Sequence, residues 1–240
     1  RVSSRPLSRV PKWPMVWRLL CRVDVMSPRP APVLVFDVNE TLLDLRVLEP
    51  FFNELFGEPR ALRDWFAELI LYSQTLTVAG YYRPFNELAA AVLRMRGEVA
   101  GVEITDAHTR SLGEAIRRMP AHPDVAPGLW RLREAGFRLV TLTNSPPPAG
   151  PSPLDGAGVA DYFEDHFSVD TVGAFKPAPA CYQQIAQRLG VGTGDLCLVA
   201  CHVWDTIGAQ ALGCQGAFVR RPGNAVIDVA AVPTPDFIAD

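Results

Sequence analysis

The chain is 240 residues long, 48% hydrophobic and 20% charged, the profile of an ordinary globular protein built as one large domain or as a core with a subdomain. This composition excludes a disordered, collagen-like or disulfide-scaffold chain. A net charge of −3 gives no basic field for nucleic acid, and no run approaches the ~20 apolar residues of a membrane span.

Residues 1–30 carry seven basic side chains and one acid, Asp24. This Arg- and Ser-containing start reads as a disordered or non-native extension ahead of Met26, or as a leader of transit-peptide type, and is set apart from the fold. The first strand is the uninterrupted apolar run Val33–Phe36, as expected of a strand buried on both faces. Four helices follow: Leu48–Phe56, Ala61–Val78, Asn86–Arg96 and Asp106–Met119. Trp65, Leu69, Tyr72 and Leu76 recur at helical spacing, and Thr105 supplies an N-cap. After Pro120 strands and helices alternate. A helix over Gly128–Ala135 leads to a strand over Arg138–Thr143. The Pro-rich loop SPPPAGPSP precedes a strand over Phe167–Asp170, and a helix over Pro179–Leu189 precedes the strand Leu196–Ala200. A helix over Thr206–Leu212 and a strand over Gly216–Val219 close the series.

This order predicts an α/β fold, a doubly wound parallel sheet with right-handed crossovers and an inserted all-helical cap. Residues 31–46 and 120–225 form the predicted core, 47–119 the cap over the carboxyl edge of the sheet, and 226–240 a C-terminal tail. The five cysteines show no CxxC or metal spacing and read as free thiols of a cytoplasmic protein. His108, His122 and His166 read as surface residues.

The chemistry-bearing residues fall at predicted strand ends. Asp37 ends the first strand, in FDVNETLLD. Thr143, Asn144 and Ser145 end the second. Lys176 follows the third, in VGAFKPAPACY, and His202 and Asp205 follow the fourth, in LVACHVWDTIGA. Neighbouring parallel strands bring these ends into one crevice.

These four stretches, in this order, resemble the haloacid dehalogenase superfamily, and within it the type II 2-haloacid dehalogenase branch, over about residues 33–222. The resemblance implies a Rossmann-like core and Asp37 as nucleophile. TLTNS looks like the second motif, Lys176 with Tyr182 the third, and Trp204 to Ala209 the fourth. It further implies (S)-2-haloacid dehalogenase-like hydrolysis of carbon–halogen bonds, a small-molecule substrate and a homodimer. A carboxylate beside a cation in a dry crevice can attack carbon and form an ester; Lys176 would keep Asp37 ionised and offset developing charge.

Position 39 bears on the reaction. Phosphatases of the superfamily carry a second aspartate there as general acid, and this chain has Asn39. An amide cannot donate that proton, a contribution typically worth 10²–10⁴-fold, whereas a halide leaves without one. Two positions depart from the family pattern. The resemblance implies an arginine on the first long cap helix that grips substrate carboxylate or halide, and matching Tyr72 to that helix puts Leu76 in its place. The fourth motif reads Ala200-Cys201-His202 where Ser-Ser-Asn is usual.

The expected site is therefore Asp37, Lys176, Asp205 and His202 as catalytic groups, with Asn39, Thr41, Thr143, Asn144 and Tyr182 positioning substrate. Either His202 or Asp205 would activate the water that attacks the ester. No metal or cofactor is expected for dehalogenation. The alternatives are a Mg²⁺-dependent phosphatase and a degenerate binding protein without turnover.

Overall fold

A computed structural model describes residues 31–239; the basic N-terminal stretch and Cys21 lie outside the described residues. The sheet has six strands: β1 Val33–Asp37, β2 Leu139–Thr143, β3 Asp165–Ser168, β4 Leu196–Ala200, β5 Gln215–Val219 and β6 Phe237–Ala239. Their order is β3-β2-β1-β4-β5-β6 and every neighbouring pair is parallel. The α/β reading holds. β1 is central and entirely buried, because its VLVFD run offers no polar face to water.

Helices α1 Glu49–Phe56, α2 Ala61–Val78, α3 Phe85–Ala100 and α4 Asp106–Arg117 come between β1 and β2. Thr105 caps α4, its hydroxyl accepting from the His108 backbone N–H. Trp65 on α2 is buried, lies 5.0 Å from the Phe52 ring and donates its indole N–H to Ala89 O on α3 at 3.1 Å. Burying that aromatic surface locks the three helices together; truncating such a side chain costs about 3–5 kcal/mol. Helices α5 Val125–Glu134, α6 Pro153–Gly156, α7 Pro179–Leu189 and α8 Val203–Gln210 connect the later strands. Gly190 ends α7 with φ +66, a left-handed stop that glycine adopts without strain.

Several boundaries differ from expectation. β3 begins at Asp165, and Val169–Thr171 is a 3₁₀ turn, because the Ser168 hydroxyl accepts from Asp170 N and turns the chain. α8 begins at Val203 rather than Thr206, which sets Asp205 in its first turn. The expected tail supplies β6: the Asp236 carboxylate accepts from Gly216 N at 2.8 Å and Gln210 donates to it, pinning a three-residue strand too short and too close to Pro235 to read from pattern. His122 is buried, not at the surface; its Nε2 lies 3.0 Å from Glu40 O. Cys181, Cys197, Cys201 and Cys214 are buried free thiols.

Candidate active site

Asp37 is the last residue of β1. Strands β2 and β4 flank it in parallel register, so the segments that follow all three strands converge on one carboxylate. Thr41 donates its hydroxyl hydrogen to Asp37 Oδ2 at 2.6 Å and accepts from Cys201 N at 3.0 Å, tying the turn after β1 to the end of β4. Lys176 Nζ lies 2.7 Å from Asp37 Oδ1 and 2.7 Å from Asp205 Oδ2, and also donates to Leu142 O. Lys176 and Asp205 are 1% and 0% exposed. An ammonium so withdrawn from water persists only because two carboxylates and a carbonyl satisfy it.

The two aspartates are driven apart. Burial alone would raise the Asp37 pKa, but Lys176 and then His202 outweigh it and hold Asp37 well below the ordinary carboxylate range. Burial dominates at Asp205 and, with the Asp37 charge, lifts its pKa above the ordinary value against the pull of Lys176. Burial opposes the Lys176 charge as well, and Asp205 and Asp37 more than compensate. One firmly ionised carboxylate beside a more basic one is the separation that nucleophile and base require.

Tyr182 donates to Asp205 Oδ1 at 2.6 Å and is buried. It was expected against substrate; instead it orients Asp205, because the first turn of α7 brings its ring beneath α8. Gly208 permits that approach, since a Cβ there would lie 2.3 Å from Pro177 Cβ and 2.8 Å from the Tyr182 hydroxyl oxygen. Asn144 Oδ1 accepts from Lys176 N at 3.1 Å and fixes the backbone that carries the lysine. Thr143 does not face the cavity over Asp37: its hydroxyl accepts from Ser145 N at 3.1 Å, closing the turn after β2. Asn39 lines the cavity and donates its amide hydrogen to Ser145 Oγ at 3.3 Å.

His202 is buried between two acids. Its Nδ1 is 3.2 Å from Asp37 Oδ2 and its Nε2 is 2.8 Å from Glu40 Oε2. The ring stacks on Trp204 at 5.1 Å and 18°. Glu40 also accepts from Arg63 on α2. Glu40 is absent from the residues expected on sequence. Its signal was present in the string FDVNETLLD, yet a glutamate in a turn after a strand ordinarily faces water. A general base needs a free lone pair, and here each ring nitrogen faces a carboxylate oxygen. The expectation of His202 as base is therefore not supported by this geometry.

Asp37, Asn39, Phe66, Ile70, Phe85, Asn144, His202 and Trp204 enclose a cavity of about 10 Å³, room for about one water molecule. Leu76, expected to occupy the place of a substrate-gripping arginine, does not line it. The α2 side chains that do are Phe66 and Ile70, and the Phe66 ring is 5.6 Å from that of His202. The helix presents a face ten residues earlier than the tyrosine-based match implied. A larger groove of about 530 Å³ along Arg117–Pro123 holds none of the strand-end residues; the convergent charges, not the volume, mark the reactive place.

A family model of haloacid dehalogenase-like hydrolases matches residues 32–213. The chain belongs to that family. It is 28% identical over 203 residues to an (S)-2-haloacid dehalogenase of Pseudomonas sp. (strain YL), covering 83% of this chain and 87% of that protein. It is 27% identical over 206 residues to haloacetate dehalogenase H-2 of Moraxella sp. (strain B), covering 85% and 91%. A crystal structure of an L-2-haloacid dehalogenase superposes with a TM-score of 0.81 at 27% identity, over 88% of this chain and 94% of that one.

Members of the haloacid dehalogenase-like hydrolases that use Mg²⁺ need a cluster of hard oxygen ligands. The residues of this chain do not fit that ion. The second position of the motif is Asn39, whose amide points a donor at Ser145, and the Lys176 ammonium already fills the space shared by Asp37 and Asp205.

Proposed function

We propose that this hydrolase is a cofactor-independent 2-haloacid dehalogenase acting on short haloacids. The carrying observation is the ionised Asp37 carboxylate, fixed by Lys176 and Thr41 at the floor of a small cavity, with an amide at Asn39 where a phosphatase needs an acid. Asp37 attacks the halogen-bearing carbon, the halide leaves with its electron pair, and an alkyl ester of Asp37 results. Water then adds to the carboxyl carbon of that ester, with Asp205 taking its proton. Tyr182 and Lys176 hold Asp205 in place for this step. Asn39 and Asn144 offer amide groups to the substrate carboxylate. The small cavity favours haloacetate over longer acids, and Phe66, Ile70 and Phe85 must draw back to admit either.

A panel of haloacids and phosphate esters, each with added Mg²⁺ and with a chelator, tests the reading. Halide release that is indifferent to chelator is expected. Phosphate release that disappears with chelator and returns with Mg²⁺ overturns it.

A further inference from the structure

Glu40 has a backbone φ of +66, in the left-handed region that costs a side chain about 1–2 kcal/mol and glycine nothing. The chain nevertheless places a glutamate there and turns it inward. Oε2 faces His202 Nε2 at 2.8 Å, and Oε1 takes the guanidinium of Arg63, which also reaches Gly223 O and Asn224 Oδ1. Gly223 leaves the room for this, since a Cβ would lie 2.7 Å from the guanidinium. The other ring nitrogen faces Asp37 Oδ2. Two ionised carboxylates can both be satisfied by one ring only when both nitrogens carry hydrogen. Charge balance gives the same answer. Asp37, Asp205 and Glu40 are matched by Lys176, Arg63 and His202 only if the ring is charged, and an unmatched buried charge is strongly destabilising.

The remaining groups against the ring are Cys201, whose Sγ is 3.6 Å from Nε2, and the apolar faces of Trp204 and Phe66. Lys176 faces it only across Asp37, and Arg63 only across Glu40. Burial opposes the ring charge, and Cys201, Asp37 and Glu40 outweigh it, so the His202 pKa stands well above its ordinary value. Among the residues lining the cavity, His202 is the one able to carry positive charge.

Resting on the haloacid reading of this site, we propose that Glu40 is a positioning residue that keeps His202 an imidazolium, and that this imidazolium receives the halide displaced by Asp37. As the Asp37–carbon bond forms and the carbon–halogen bond breaks, the negative charge moves from carboxylate to halide. The Nδ1–H that faced Oδ2 turns to the halide, and the ring keeps both protons. A charge already fixed in a water-poor site needs no reorganisation when the anion appears. The ring then has no lone pair to activate water, which leaves that task to Asp205.

Nitrogen-15 NMR of the histidine-labelled wild-type chain, from pH 6 to 9, reads the ring directly. Both His202 nitrogens are expected as N–H through pH 8, well past the ~6.5 of a free histidine; a neutral ring at pH 7.5 overturns the proposal. Chloride binding to D37N, in which position 37 carries no charge, as in the ester, followed by chlorine-35 line broadening without substrate, reads the anion site. In the double variant D37N/E40Q the affinity should fall by about tenfold or more at pH 8 and return towards that of D37N at pH 5.5, where the ring protonates unaided. Chloride affinity at pH 8 that is the same in D37N/E40Q as in D37N overturns the proposal, and the wild-type NMR result stands if either variant fails to fold. A wild-type chain with a neutral ring that still releases halide overturns this proposal alone. A charged, chloride-binding ring in a chain that dehalogenates no haloacid supports the anion site and overturns only the haloacid reading.

Discussion

Lys176 Nζ is held 2.7 Å from Asp37 Oδ1, with its ammonium shut off from water. The same nitrogen is equally close to Asp205, so one cation serves the two carboxylates to which the nucleophilic and hydrolytic steps are assigned.

Removing that cation should be felt first in stability. Lys176→Met leaves two carboxylates buried without their ammonium, a loss of about 3–5 kcal/mol at pH 7, measurable by urea denaturation. Asp37 is held below its unfolded pKa of about 3.9. Wild type therefore gains stability from it above that value and loses the gain as pH falls through the lower folded value. In Lys176→Met this contribution shrinks, so the deficit relative to wild type should narrow as pH falls below about 4. A deficit independent of pH would place the cost elsewhere.

Asp37→Asn should abolish turnover, since an amide does not attack carbon. In a single turnover of wild type in ¹⁸O water, mass spectrometry should find the label in Asp37 before it appears in product. Label in product alone would exclude an ester on the enzyme.

Tyr182→Phe removes the hydroxyl that orients Asp205. The first chemical step should be little changed and the second slowed, giving a burst of halide and an alkyl adduct on Asp37. The lost hydrogen bond should lower stability by about 1 kcal/mol. A steady state without a burst would separate Asp205 from ester hydrolysis.

The cavity wall formed by α2 should govern chain-length preference. Phe66→Ala opens space beside His202, so kcat/KM for 2-halobutyrate relative to haloacetate should rise several-fold. Leu76→Arg lies outside the cavity lining and should leave both KM values unchanged. A tightened KM in Leu76→Arg would show that α2 presents a different face to substrate.

Gly208→Ala should destabilise the protein by about 1–3 kcal/mol through overpacking, because the new methyl meets Pro177 and the Tyr182 hydroxyl. Thermal unfolding checks this, and an unchanged midpoint would mean that α7 and α8 separate without cost.

The sheet core was legible in the sequence because apolar strand runs such as Val33–Phe36 are a local property. That Asp37, Lys176, Asp205, Asn144 and Thr41 gather at one edge was legible too, since parallel strands carry their C-terminal ends there whatever the loops do, although Thr41 and Asn144, expected against substrate, bond Asp37 and the Lys176 backbone. What local pattern does not encode is which way a side chain turns after it leaves the strand. His122 reads from sequence as a surface residue, and Glu40 carries no expectation at all. They are buried because a ring from the segment after β4, a guanidinium from α2 and a backbone carbonyl supply partners remote in sequence. Tyr182 and Thr143 were assigned to substrate, and they bond Asp205 and the turn backbone instead. The helix face toward Asp37 belongs to Phe66 rather than Leu76, a matter of how α2 docks and not of its period. Sequence alone determined the sheet and its charged edge, because these follow from hydrophobic periodicity and chain order, whereas the role of Asp37 was what the family resemblance implied. Only the tertiary structure decided that His202 is clasped by two carboxylates, because a ring's protonation depends on neighbours that chain distance does not reveal.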